Sequence, residues 1–202
     1  VNQNIFEKDI KIKKAKLWSH ENPNLYVVTV ALFDEDKLLE ATAFTTGFKS
    51  VEVKNRELLI NKKMVYIKGV NRHEHHEKFG KTIPLSNMLK DLELLKNHNF
   101  NAVRTCHYPD QIPWYYLCDE AGLYVMAECN LESHGSWQKL GAVEPSWNVP
   151  GSIPQWKEVV VDRARTNYEV FKNHTSILFW SLGNESYAGD NIQEMNQFYY
   201  LS

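Results

Sequence analysis

Four short polar clusters carry the groups that could do chemistry. They are Asn71-Arg72-His73-Glu74-His75-His76, Arg104-Thr105-Cys106-His107-Tyr108, Glu128-Cys129-Asn130-Leu131-Glu132-Ser133-His134 and Trp180-Ser181-Leu182-Gly183-Asn184-Glu185-Ser186. Glu185 ends an apolar run beside Trp180, so partial burial is expected there. Burial raises a carboxyl pKa, and a carboxyl so tuned can hold its proton near neutrality and deliver it to a leaving oxygen. Asn184 beside it can hydrogen-bond a ligand hydroxyl. The competing reading makes Glu185 an acid that favours the dipole at a helix N-terminus. Glu132 and His134 stand two residues apart, which puts both on one side of an extended segment. Joined by Glu185, they could hold a divalent cation, and carboxylate-rich ligation with waters suits Mg2+ or Mn2+. A hydrogen-bonded Glu–His pair without metal fits the same spacing.

Such groups need a frame, and the rest of the sequence supplies one. Residues 1–62 read as β: an apolar extended run at 25–33, then a hairpin of 58–60 and 65–67 around Asn61-Lys62-Lys63. This part resembles a small β-sandwich or the end of one. From residue 63 onward short apolar runs alternate with helical patterns. Strands are expected at 65–70, 101–105, 123–129 and 177–182. Helices are expected at 85–98 with Ser86 as cap, 112–121 with Pro113 early and Gly122 just past the end, 154–172, and from Asp190 onward. Four β/α units in a row imply a parallel sheet with helices outside it. In a (β/α)8 barrel the active site is built at the C-terminal ends of several strands, which is where all four clusters fall. The segment 136–153, with Trp137, Trp147 and Pro150, reads as a substrate-side loop.

Composition narrows the function classes. The chain has 202 residues with 23 Lys plus Arg against 25 Asp plus Glu, a net charge of −2. That balance provides no basic footprint for nucleic acid or an anionic membrane. No apolar run approaches the about 20 residues that span a bilayer. Six Trp, ten Tyr and nine Phe exceed the usual aromatic load, and rings serve both core packing and sugar platforms. Three cysteines in no CxxC pattern suggest reduced thiols and a cytoplasmic protein. The lack of an initial Met and the close of the chain within a helical pattern suggest a piece of a longer polypeptide.

Taken in order, the motifs carry a resemblance. Gly69-Val70-Asn71-Arg72-His73-Glu74-His75-His76, Phe100-Asn101-Ala102-Val103-Arg104 with His107-Tyr108-Pro109, Asn130-Leu131-Glu132-Ser133-His134-Gly135, and Trp180-Ser181-Leu182-Gly183-Asn184-Glu185-Ser186 together resemble the β-galactosidases of glycoside hydrolase family 2. The resemblance implies that residues 1–62 end an immunoglobulin-like β-sandwich. It implies that residues 63–202 form the first four β/α units of a (β/α)8 TIM barrel. It implies Glu185 as general acid/base and Asn184 on the sugar 2-hydroxyl. Glu132, His134 and Glu185 would bind Mg2+. His73 and His107 would contact the galactosyl group, and Arg104 would order the site. The implied reaction is retaining hydrolysis of a β-galactoside such as lactose by a homo-oligomeric parent enzyme. The implied Na+ ligands and nucleophile lie outside these residues, since a full barrel takes about 250 residues and a retaining hydrolase needs a second carboxylate about 5–5.5 Å from the acid. The isolated chain is therefore expected to be inactive.

Two other readings stay open. His-x-His after a first strand, here His73 and His75, is also how metal-dependent amidohydrolase barrels begin. The chain could also act as a non-catalytic complementation piece that docks to the rest of its parent.

Overall fold

The structure is a computed structural model that describes residues 7–137 and 149–201. Most of the segment expected to form a substrate-side loop, including Trp147, lies outside the described residues. The described chain opens with an antiparallel ribbon, β1 (Tyr26–Asp34) and β2 (Lys37–Thr46). An antiparallel meander follows, β3 (Val51–Lys54), β4 (Glu57–Ile60) and β5 (Lys63–Met64). Ribbon and meander are separate sheets. Both meander turns place two residues at positive φ, Asn55 and Arg56, then Asn61 and Lys62. That is the geometry a two-residue hairpin needs to match strand twist, and asparagine tolerates it best among residues with a side chain.

A parallel sheet comes next, with β6 (Gly69–Arg72), β7 (Ala102–Thr105), β8 (Tyr124–Glu128) and β9 (Ile177–Ser181) side by side in sequence order. Between these strands run α1 (Leu85–Asn97), α2 (Ile112–Ala121), the single turn α3 (His134–Trp137) and α4 (Lys157–Phe171), and α5 (Asp190–Leu201) closes the described chain. Helix α2 starts with Pro113 in its first turn and stops at Gly122, whose φ is +71°. A Cβ at Gly122 would lie 2.6 Å from the His20 carbonyl oxygen, so both the dihedral and the approach of the amino-terminal segment demand glycine.

Several boundaries differ from the sequence expectation. The first parallel strand starts at Gly69, later than expected, because a side chain satisfies the preceding backbone. Asn101 accepts from the Lys68 N–H at 2.7 Å and donates to the Tyr66 carbonyl at 2.8 Å. The hairpin partner of β4 is Lys63–Met64, with Asn61 and Lys62 alone in the turn. Ser86 lies inside α1, which begins after Pro84 with no side-chain cap. The long helix begins as a 3-10 turn, Pro154–Trp156, before α4.

Three apolar clusters hold these parts together. Met88, Val103, Trp114, Tyr115, Val125 and Phe171 fill the space between sheet and helices. Cys129, Leu131, Val160, Ala164 and Met195 join the end of β8 to α4 and α5. Trp18, Ile60, Ala102 and Tyr124 fasten the amino-terminal part to the sheet. Trp18 is fully buried, and its indole N–H donates to the Asp119 carbonyl at 2.8 Å. Burying a side chain of this size contributes about 2–3 kcal/mol, so Trp18 anchors the join.

Candidate functional site

The C-terminal ends of β6–β9 deliver one connected set of polar side chains. Arg72 ends β6 and is buried. Its guanidinium donates to Glu74 at 3.2 Å, Asp110 at 2.7 Å and Asp91 at 3.0 Å, and stacks 3.9 Å over the Trp114 ring. Four partners fix the chain direction at the strand end, so His73 projects away from the buried side. The Glu74 N–H donates to the Tyr108 hydroxyl at 3.1 Å, and that hydroxyl stands 3.3 Å from His73 Nδ1. Lys81 Nζ donates to the same hydroxyl at 2.8 Å.

Strand β7 supplies Arg104 and, just past its end, His107. The His107 and His73 rings meet edge to face with centroids 5.2 Å apart. Glu128 ends β8 and is completely buried. Its Oε1 lies 2.6 Å from His107 Nδ1, and its Oε2 accepts from Arg104 Nε at 2.5 Å and Ser181 Oγ at 2.6 Å. Arg104 then donates from Nη2 to Asn184 Oδ1 at 3.1 Å, and Asn184 Nδ2 donates to Glu132 Oε1 at 3.3 Å.

The segments after β8 and β9 are locked together by backbone. Asn184 N–H donates to the Leu131 carbonyl at 2.8 Å, and Glu132 and Asn184 form a parallel bridge. Gly183 permits this: its φ is +141°, and a Cβ there would lie 2.3 Å from the Leu131 oxygen. Glu185 follows at φ +35°, an uncommon value for a residue with a side chain, and its carboxylate meets His134 Nδ1. Ligand atoms of Glu132, His134 and Glu185 all lie within 4.8 Å of one another. Two carboxylates and one imidazole, partly open to water, fit a hard divalent cation whose remaining positions are filled by solvent. Among the described residues no other trio of His, Cys, Asp or Glu gathers in this way, and the exposed His73 and His75 do not.

Electrostatics separate the groups further. Desolvation first, and then the neighbouring His107 and Lys81, lower the His73 pKa. Burial pushes Asp110 up to about 7 against the pull of Arg72. Burial also pushes the Cys106 thiol up to about 11 and Cys129 up to about 12, so both are protonated and unreactive at neutral pH. All three cysteines are buried and unpaired.

All seven residues expected at the site, His73, Arg104, His107, Glu132, His134, Asn184 and Glu185, fall in this one patch. The expected partial burial of Glu185 is met only by half. Its side chain is 48% exposed, because β9 ends at Ser181 and the residue has already left the sheet. The buried carboxylate is Glu128, which the sequence reading passed over. One signal could have found it: Glu128 is the only charged residue in the apolar run from Leu123 to Cys129. Ser181 and Tyr108 carry no comparable signal.

Comparison with known proteins places this geometry. Residues 51–200 match the family described as glycosyl hydrolases family 2, TIM barrel domain, and residues 1–49 match a glycosyl hydrolases family 2 domain. The chain is 58% identical over 201 residues to a β-galactosidase large subunit of Lactobacillus helveticus, covering 98% of this chain and 32% of that protein. It is 51% identical over 184 residues to a β-galactosidase of Clostridium acetobutylicum, covering 91% of this chain and 20% of that protein. The chain thus spans a third or less of these relatives. A β-D-glucuronidase structure from Dictyoglomus thermophilum superposes with a TM-score of 0.80 at 28% identity, covering 93% of this chain and 33% of that one.

Proposed function

The chain belongs to glycosyl hydrolases family 2, and from that premise we propose that the full-length protein hydrolyses terminal non-reducing β-D-galactose residues of β-galactosides, lactose among them, with retention of configuration. The observation that carries this reading is the meeting of Glu185 with Glu132, His134 and Asn184 at the C-terminal ends of adjacent parallel strands. The choice of galactoside rests on the names of the relatives, which share about half or more of its residues.

In this reading Glu185 gives its proton to the glycosidic oxygen as the C1–O bond breaks. It later takes a proton from the water that releases the sugar. Asn184 holds the sugar 2-hydroxyl. Arg104 fixes the Asn184 amide, and His73 with His107 contacts the galactosyl group. Glu132, His134 and Glu185 would hold Mg2+, which when bound adds positive charge and rigidity beside the acid. The attacking carboxylate is proposed to lie outside residues 1–202, since Glu132, the acid gathered with Glu185, is engaged by Asn184 and would share the ion site. Any Na+ site is likewise proposed to lie elsewhere in the whole enzyme.

Residues 63–202 are read as the first four units of an eight-stranded barrel, and residues 1–62 as the end of an immunoglobulin-like domain. The four parallel strands support the barrel half, and the two family matches, which meet between residues 49 and 51, support an amino-terminal part distinct from it. Residues 1–202 alone are proposed to be inactive and to need the remainder of the parent, a homo-oligomer. The words "large subunit" in a relative's name support a second polypeptide as partner. A cytoplasmic location is proposed from the three unpaired thiols. Among the described residues no helix is long and apolar enough to cross a membrane. Proton NMR of the full-length protein acting on an aryl β-galactoside tests the proposal. β-Galactose is expected as the first-formed sugar; α-galactose first, or no release, overturns it.

A further inference from the structure

We propose that Glu128 is a positioning residue that sets the proton placement of the whole site, fixing the His107 tautomer and, through Arg104, the orientation of the Asn184 amide. The inference deepens the glycosidase reading and rests on it for its kinetic consequence.

The argument is one of hydrogen-bond polarity. An ionised carboxylate can only accept, and a guanidinium can only donate. Glu128 is completely buried, so no water can substitute for a missing donor. Its Oε1 lies 2.6 Å from His107 Nδ1, which must therefore carry a hydrogen. Nε2 is then the ring nitrogen left to meet a ligand. Its Oε2 takes Arg104 Nε at 2.5 Å, which turns Nη2 onto Asn184 Oδ1 at 3.1 Å. With its oxygen claimed by a donor, Asn184 must turn Nδ2 towards Glu132, and the two are 3.3 Å apart. One buried acceptor thus dictates donors and acceptors across three strand ends. Ser181 Oγ at 2.6 Å and the Glu128 N–H on Thr105 Oγ1 at 2.9 Å hold that acceptor in place. Partners that hold a functional imidazole in one tautomer commonly act in this way.

Glu128→Gln keeps the shape and replaces one acceptor oxygen with a donor NH2. That NH2 must face either the His107 ring or the Arg104 Nε–H. Either His107 then moves its hydrogen to Nε2, or Arg104 turns away and frees Asn184.

Neutron diffraction of the full-length wild-type protein reads the first claim directly. A hydrogen on His107 Nδ1 is expected, and its absence overturns the proposal even if no variant folds. In folded Glu128→Gln, a changed hydrogen position on His107 or a turned Asn184 amide is expected. With it should come a fall of about 100-fold in kcat/KM for an aryl β-galactoside, while binding of a non-hydrolysable thiogalactoside changes less than about threefold. Unchanged hydrogens with kcat/KM within about threefold of wild type would overturn the proposal. If the wild type hydrolyses no galactoside, the glycosidase reading fails on its own, and the neutron maps still decide the proton placement.

Discussion

Two buried carboxylates each hold an imidazole at opposite ends of the parallel sheet, and their local chemistry is nearly the same. At the C-terminal end His107 Nδ1 lies 2.6 Å from Glu128, and at the N-terminal end His174 Nδ1 lies 2.7 Å from Asp119. Both carboxylates take further donors, Arg104 and Ser181 on Glu128 and the Ser176 N–H on Asp119. The surroundings differ. His174 is sealed between the Tyr115, Tyr116 and Phe171 rings beneath the amino-terminal part, while the His107 side chain is 18% exposed beside His73. The lesson is that a buried acid fixing a histidine is not by itself a sign of catalysis. What decides is whether the rest of the ring meets solvent-accessible space or a packed wall.

The sharpest break of this contrast is made at the open end. Glu185→Gln should lower kcat for a galactoside with a poor leaving group by about 1000-fold and for an activated aryl galactoside far less. Because the side chain is half exposed, stability should stay within about 0.5 kcal/mol. Steady-state kinetics on both substrates with a denaturation curve checks this. Equal losses on the two substrates would remove Glu185 from the acid role.

The sealed pair should answer in the opposite currency. Asp119→Ala leaves His174 and the Ser176 N–H without their buried acceptor, and stability should fall by about 3 kcal/mol. Activity per folded molecule should stay within about threefold of wild type, since Asp119 bonds to His174 and the Ser176 N–H at the opposite end of the sheet and to none of the site side chains directly. Denaturant unfolding and kinetics below the transition measure the two effects. A large loss of activity at intact stability would join the two ends after all.

The smallest effect refines the sealed end. Lys49 donates to the Thr175 carbonyl, and burial lowers its pKa to about 8 despite the opposing charge of Asp119. The unfolded chain keeps that proton to about pH 10, so between these values it binds more protons than the native state. Stability from this group is therefore flat below pH 8 and rises by about 2 kcal/mol towards pH 10. Lys49→Met should flatten that rise, as the difference between two pH-resolved unfolding series. An identical slope in both would refute the assignment.

Much of the site was legible because its residues follow the strands that present them. Apolar runs ending in His, Arg, Asn and Glu identify strand ends, and the order of the parallel strands needs only their alternation with helices. Glu128 was less legible than Glu185, although both follow apolar runs. A one-dimensional pattern does not say which carboxylate stays in the sheet. That depends on where the ladder stops, Glu128 being the last residue of β8 and Glu185 lying four beyond the end of β9.

Residue order alone determined the β/α alternation, the stop of α2 at Gly122, and the list of groups that could bind an ion or move a proton, because these follow from local periodicity, backbone freedom and side-chain chemistry. Tertiary structure alone decided that Glu132 meets Asn184 across two loops, that Arg104 turns from Glu128 to Asn184, and that one of two similar acid–histidine pairs opens outward while the other is packed shut. Burial and hydrogen-bond direction are properties of neighbours in space, and chain spacing does not encode which neighbours those will be.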